Sequence, residues 1–179
     1  MRIENVTPAD AKELLEIYSY YVLNTAVSFE TTPPSIEEFI SRIETYTVKY
    51  PYIKAVDENG KIAGFAFAHA FRERAAYDKS VESSIYVDKD SRRKGVGRLL
   101  YTELENRLKA DGYLNMYACV ATLDGKENDP YLTEASPEFH RKMGFTSSGV
   151  LHNCGIKFGR WYSMMWMEKI IGEHLNQED

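Results

Sequence analysis

Seven consecutive residues constrain this chain more than any others: Arg92-Arg93-Lys94-Gly95-Val96-Gly97-Arg98, four of them cationic. They follow an alternating run, Ser80 to Val87. Val81, Ser83, Ile85 and Val87 share one face there, and Glu82, Ser84 and Tyr86 the other. They lead into Gly95 to Ala110, where Leu99, Leu100, Leu104 and Leu108 fall on one side of a helix. The chain must therefore pass from strand to helix through a basic turn. The first N–H groups of such a helix have no internal acceptor and lie at its positive dipole end. Glycines let the backbone turn tightly and approach a ligand closely. The combination predicts an anion site suited to a diphosphate or polyphosphate. It is neither a Walker loop nor the dinucleotide Gly-x-Gly-x-x-Gly pattern, since Gly-Lys-Ser/Thr and a third glycine are missing.

The rest of the sequence narrows the class. At 179 residues the chain predicts one domain, residues 1–172, followed by a polar tail, residues 173–179. The formal net charge of −5 provides no general basic surface, so no nucleic-acid partner is expected. Cys119 and Cys154 are the only cysteines and form no Cys-x-x-Cys pair, so neither a disulfide framework nor a metal site is expected. His69, His152 and His174 do not complete a ligand spacing with them. The start, MRIENVTPAD, has no apolar signal core. The longest apolar run, Ile62 to Ala68, is far short of the ~20 residues a membrane span needs. The expectation is a soluble, cytoplasmic protein with free thiols and no membrane contact.

Arg2 to Val6 predicts a short strand. Thr7-Pro8-Ala9-Asp10 opens a helix carrying Leu14, Leu15, Tyr18, Tyr21 and Val22 on its apolar face. Asn24 to Pro34 is not helical throughout, and Ser35-x-x-Glu38 caps a second helix through Ile43. Tyr52 to Val56 and Lys61 to Ala70 form a hairpin around Asp57 to Gly60. After the basic turn and its helix, Tyr113 to Ala121 is a strand and Asp124 to Glu134 a loop. Ser136-Pro137 starts a short helix ending at Gly144. Phe145 to Leu151 and Tyr162 to Glu168 close the order as strands linked through Cys154 to Trp161. The order β-α-α-β-β-β-α-β-α-β-β is one α+β, or mixed α/β, domain.

Arg-x-x-Gly-x-Gly after a strand ending Ile85-Tyr86-Val87 resembles the acetyl-CoA loop of the GNAT superfamily of N-acetyltransferases. Further blocks resemble its phosphinothricin acetyltransferase branch: Val27-Ser28-Phe29-Glu30, Pro33-Pro34, Ala76-Tyr77-Asp78, and Asn128-Asp129-Pro130. Phe139-His140-x-x-x-Gly144-Phe145 and Gly155-x-Lys157-Phe158-Gly159-x-Trp161 continue the set in the family's order. The resemblance implies a central mixed sheet flanked by helices, its two central strands splayed around acetyl-CoA. It further implies that backbone groups of Ile85, Tyr86 and Val87 bind the pantetheine arm. Arg92, Arg93, Lys94, Gly95, Val96, Gly97 and Arg98 would hold the pyrophosphate, and Asn128 would touch the cofactor beyond the next strand. A homodimer is the family's habit.

Acetyl transfer to an amine needs a base for the ammonium and a proton for the leaving thiolate. Glu82, just before the cofactor strand, is the candidate base, and the resemblance gives it that role; the bland alternative is an exposed strand Glu. His140 is the candidate acid, with Tyr86 and Tyr131 as alternative hydroxyl donors and a surface-bonded His as the bland reading. Phe29 and Glu30 are candidate walls of the acceptor pocket. Arg72, Arg74 and Tyr77 are candidates for pairing a carboxylate or phosphinate. Cys119 reads as a small core residue. Tyr131 to Ala135 extends the segment after Asn128-Asp129-Pro130 relative to shorter members of the branch, so the resemblance does not by itself carry phosphinothricin specificity over. The expected activity is acetyl-CoA-dependent acetylation of a small primary amine, an amino acid or an analogue such as phosphinothricin or methionine sulfone or sulfoximine. The alternatives are a protein N-terminus or polyamine as acceptor, or an acetyl-CoA-binding module without turnover.

Overall fold

The computed structural model describes residues 1–125 and 128–176. Lys126 and Glu127 of the expected loop, and the last three residues of the expected tail, lie outside the described residues.

Seven strands form one mixed sheet in the order β1-β2-β3-β4-β5-β7-β6. They are β1 (Arg2–Asn5), β2 (Tyr52–Val56), β3 (Ile62–Ala70), β4 (Ser80–Val87), β5 (Asn115–Thr122), β6 (Thr146–Lys157) and β7 (Arg160–Ile170). The helices are α1 (Ala11–Asn24), α2 (Ile36–Thr47), α3 (Val96–Ala110) and α4 (Ala135–Lys142). The element order is the one read from the sequence.

Local rules explain most boundaries. Pro8 to Asp10 form a 3-10 turn ahead of α1, with Thr7 and Asp10 in a reciprocal capping box. The Ser35 hydroxyl accepts the Glu38 N–H at 3.1 Å and starts α2, which runs four residues past Ile43, to Thr47. The largest departure is at the C-terminal end. Cys154 to Trp161 is no linker: β6 and β7 continue through it as one long hairpin, with Gly155 paired to Tyr162 and Lys157 to Arg160. The turn is made by Phe158 and Gly159, both with positive φ. Register breaks between Leu151 and Gly155 absorb the irregularity that disguised this strand.

Strand alternation divides the core between two faces. On one, Leu14, Tyr18 and Val22 of α1 and Phe39 and Ile43 of α2 pack on Tyr52, Ile62 and Phe65. On the other, Leu100, Leu104 and Leu108 of α3 pack on Ile53, Val81, Met116 and Met167.

β4 and β5 are the parallel neighbours at the centre, paired only at Ser80–Asn115, Val81–Met116 and Glu82–Tyr117. β4 continues to Val87 and β5 to Thr122 without a further rung. The sheet therefore opens between them beyond Glu82 and Tyr117, as the resemblance implies.

Candidate active site

The opening leaves backbone groups without strand partners. The Asp88 N–H bonds the Ala63 carbonyl of β3 at 2.9 Å. By alternation, the N–H and C=O of Ile85 and Val87 point away from β3, into the gap. An amide-bearing chain laid along this edge would find them at strand spacing. At the far end, α3 begins with Gly95 in the left-handed region (φ 81°) and no side chain caps it. Leu99 N–H is the first to bond back, to the Gly95 carbonyl. The amides of Val96 to Arg98 therefore lack an intrahelical acceptor. Arg93, itself at φ 61°, and Lys94 and Arg98 are exposed around them. This is an anion cradle at the mouth of the strand opening, and its donors fit a pyrophosphate and the amide arm of a pantetheine.

The two glycines differ in their reasons. Gly95 supplies the turn: a Cβ there would meet nothing within 4 Å, and only its φ demands glycine. Gly97 also has a packing reason beyond the close approach expected of it. A Cβ there would lie 3.1 Å from the Phe139 ring, so this glycine seats α4 against α3. Val96 is buried in the core and offers its backbone only. Asn128 lies on the loop after β5, exposed and with φ 52°.

Glu82 occupies the last rung of the parallel ladder and is directly opposite His69 of β3. Paired residues share a face, so both point towards the α1–α2 side. His69 stacks on Tyr46 of α2 at 5.3 Å. Burial raises the Glu82 carboxyl above the ordinary range, opposed by the neighbouring His69 and Arg72. A raised carboxylate is a better base near neutral pH. Arg72 lies over Phe71 (4.3 Å) and Trp166 (5.2 Å). A cavity of about 720 Å³ gathers Arg72, Arg74 and Tyr77 with His69, Tyr46 and Phe71. Cys119 is half-buried and is not a plain core residue. Burial and the neighbouring Glu82 carboxylate push its thiol up to about 12, which marks it as Glu82's neighbour and keeps it protonated.

Phe29 and Glu30 are elsewhere. They sit in the α1–α2 loop, against the β6–β7 hairpin. Phe29 packs on Gly155 and lies 6.5 Å from the Tyr162 ring. Glu30 is held by Arg42 of α2 at 2.8 Å. The buried Lys157 ammonium donates to the Ser28 carbonyl at 2.6 Å and ties hairpin to loop.

His140 is buried in α4 with both nitrogens engaged. Nδ1 is 2.8 Å from the Ser136 carbonyl, which can only accept, so Nδ1 carries the hydrogen. Nε2 then accepts from the Tyr101 hydroxyl at 2.9 Å. Burial lowers the imidazole below its ordinary value, opposed by the Ser136 bond. Tyr101 Oη is 3.4 Å from Ser83 Oγ, which donates to the Tyr117 carbonyl at 3.0 Å. The ring is neutral and turned into the core, and the Tyr101 hydroxyl is its contact towards the strand opening. Tyr86 is half-buried against Tyr18 and Tyr21 at 4.9 and 5.3 Å. Tyr131 stacks on Phe158 at 4.2 Å.

Sequence reasoning missed His69, hidden in an apolar strand, and Tyr101, hidden in the helical pattern of α3. Pairing His69 with Glu82 requires the β3–β4 register, which the turn between them does not reveal. Among the described residues, no group of three or more His, Cys, Asp or Glu could hold a metal ion. No described helix is long and apolar enough to cross a membrane.

Residues 3–166 match the family model of the acetyltransferase (GNAT) domain. The chain is 32% identical over 169 residues to a phosphinothricin N-acetyltransferase of Streptomyces viridochromogenes, covering 94% of this chain and 87% of that protein. It is 31% identical over 167 residues to an L-methionine sulfoximine/L-methionine sulfone acetyltransferase of Pseudomonas aeruginosa, covering 93% and 92%. The crystal structure of a GNAT superfamily phosphinothricin acetyltransferase from Sinorhizobium meliloti, in complex with acetyl-CoA, superposes with a TM-score of 0.86 at 37% identity, covering 96% of this chain and 88% of that one.

Proposed function

Because this chain belongs to the GNAT acetyltransferase family and is an N-acetyltransferase, we propose that it acetylates the primary amine of a small amino acid or analogue by direct transfer from acetyl-CoA. The observation that carries this reading is the opening between β4 and β5, which begins at the rung holding Glu82. Acetyl-CoA supplies the activated acetyl group. The gap-facing edge of Ile85 and Val87 aligns the arm, and the amides and cations from Arg92 to Arg98 hold its phosphates. Asn128, on the loop after β5, touches the cofactor beyond that strand.

Glu82 takes a proton from the acceptor ammonium, directly or through one water, so that nitrogen can attack. His69 and Arg72 keep the carboxylate charged enough to accept it. As the nitrogen bonds to the acetyl carbonyl, the C–S bond breaks and the thiolate takes the proton the nitrogen sheds; the Tyr101 hydroxyl, backed by the buried His140, is the polar group nearer the strand on that side. The cavity holding Arg72, Arg74 and Tyr77 suits an acceptor that carries an anionic group beside its amine. Phe29 and Glu30, outside that cavity, border the acceptor from its other side, on the α1–α2 loop. The relatives that act on phosphinothricin and methionine sulfone or sulfoximine support the same substrate class.

The reading also makes the protein cytoplasmic, where acetyl-CoA is available, and a homodimer. Exposed Leu151, Ile156 and Trp161 on the β6–β7 hairpin support the dimer. Sedimentation velocity measures it.

The test is a panel of amines offered with acetyl-CoA, with products read by mass. Acetylation of phosphinothricin, methionine sulfone, methionine sulfoximine or a free amino acid is expected. Acetylation of spermidine or peptide N-termini alone overturns the acceptor class. Binding of acetyl-CoA with no acetylated product across the panel favours a module without turnover.

A further inference from the structure

Tyr21 sits at the opening without a role in the chemistry described so far. It belongs to α1, on the face that packs against the sheet, yet its hydroxyl reaches the backbone of β4. It donates to the Val87 carbonyl at 2.6 Å and accepts the Val87 N–H at 3.3 Å. Those are the groups that point into the gap. The ring is fixed from three sides: Tyr86 at 5.3 Å, Tyr20 at 5.6 Å, and the Arg92 guanidinium 5.1 Å from its centre. Arg92 lies equally close to Tyr20. One side chain thus touches both the edge for the amide arm and the first cation of the phosphate cradle.

The two bonds are unequal. At 2.6 Å the donation to the carbonyl is a good O–H···O bond. At 3.3 Å the bond from the N–H is longer than the usual 2.7–3.2 Å. An incoming carbonyl can take the N–H without loosening the stronger bond.

We propose that Tyr21 is a positioning residue for acetyl-CoA: its hydroxyl pins the Val87 carbonyl and presents the Val87 N–H as the donor for an amide carbonyl of the pantetheine arm. The inference rests on the acetyl-CoA reading above. Without the hydroxyl, the Val87 carbonyl has no partner in the gap and the strand end turns to satisfy it. Arg92 acts on the phosphates and Tyr21 on the arm, so their effects separate by cofactor length.

The test compares wild type, Tyr21→Phe and Arg92→Gln with acetyl-CoA and with acetyl-pantetheine, which lacks the phosphates and nucleotide. Tyr21→Phe keeps the ring and removes only the hydroxyl. It should raise KM roughly five- to tenfold for both donors, with the acceptor KM unchanged. Arg92→Gln should raise KM for acetyl-CoA by a larger factor than for acetyl-pantetheine. A general structural defect in Tyr21→Phe would instead raise the acceptor KM and lower Tm together with the donor affinity, and that pattern counts against the proposal. An unchanged donor KM in Tyr21→Phe overturns it, and a lowered one shows that the hydroxyl competes with the arm. Loss confined to acetyl-CoA assigns Tyr21 to the phosphates through Arg92 and also overturns it. If wild type neither binds nor turns over acetyl-CoA, the functional reading itself falls, a result separate from any behaviour of Tyr21→Phe.

Discussion

Glu82 stands beside Tyr117 on the last rung that joins β4 to β5. One strand neighbour is held and the next step is open, so Glu82 is held by the ladder at the edge of the opening. Burial raises its protonation equilibrium, with His69 and Arg72 opposing. The acid limb of kcat should therefore lie above the ordinary carboxylate value of ~4.3. A carboxyl raised in the folded state contributes its stability below the unfolded value, and that contribution is lost as pH rises through the folded value. Glu82→Gln should then be no less stable than wild type at pH 8, while the acid limb disappears. Thermal melts and kcat measured from pH 5 to 9 check both.

His140 carries the opposite sign. Its folded value lies below the ordinary value of ~6.5, because burial disfavours the imidazolium. Its contribution is present above that pH and is lost as pH falls through the window below it. Urea midpoints should fall as pH is lowered from 7 to 5, and His140→Gln should flatten that dependence. Tyr101→Phe, which strips the partner from buried Nε2, should cost about 1–3 kcal/mol at pH 7.

Gly95 and Gly97 fail for different reasons when changed to alanine. Gly95→Ala forces a side chain to φ 81°, at about 1–2 kcal/mol, and disturbs the cradle itself. Gly97→Ala pushes a methyl to 3.1 Å from Phe139 and strains the α3–α4 packing. Calorimetry should show weakened acetyl-CoA binding for both. Gly95→Ala should show the larger loss of affinity per degree of Tm lost.

Lys157 binds the Ser28 carbonyl from the β6–β7 hairpin and so anchors the loop that carries Phe29 and Glu30. Lys157→Met keeps most of the volume and removes the bond. It should raise the acceptor KM several-fold and leave the KM for acetyl-CoA unchanged. Steady-state kinetics with each substrate varied in turn measure this.

Element order was legible in the sequence because amphipathic periods are local. The runs Tyr52–Val56 and Ser80–Val87 coincide with β2 and β4 residue for residue. The basic turn was legible because left-handed glycine and a helix start are also local. What depended on distant pairing was not. The β6–β7 hairpin, interrupted by register breaks and polar residues, read as a linker. The packing role of Gly97 did not show, because Phe139 is 42 residues away in the sequence. Tyr21 read as one more apolar position on α1, since its bond to Val87 spans 66 residues.

The most direct test of the account is thiol release from acetyl-CoA by wild type and Glu82→Gln, with saturating acetyl-CoA and an amine accepted by wild type, at pH 8. The account predicts a fall in kcat of roughly 10²–10⁴-fold, with the Kd for acetyl-CoA and the Tm preserved. A Glu82→Gln variant that releases thiol at the wild-type rate would contradict the claim that transfer begins with proton removal at the last rung of β4.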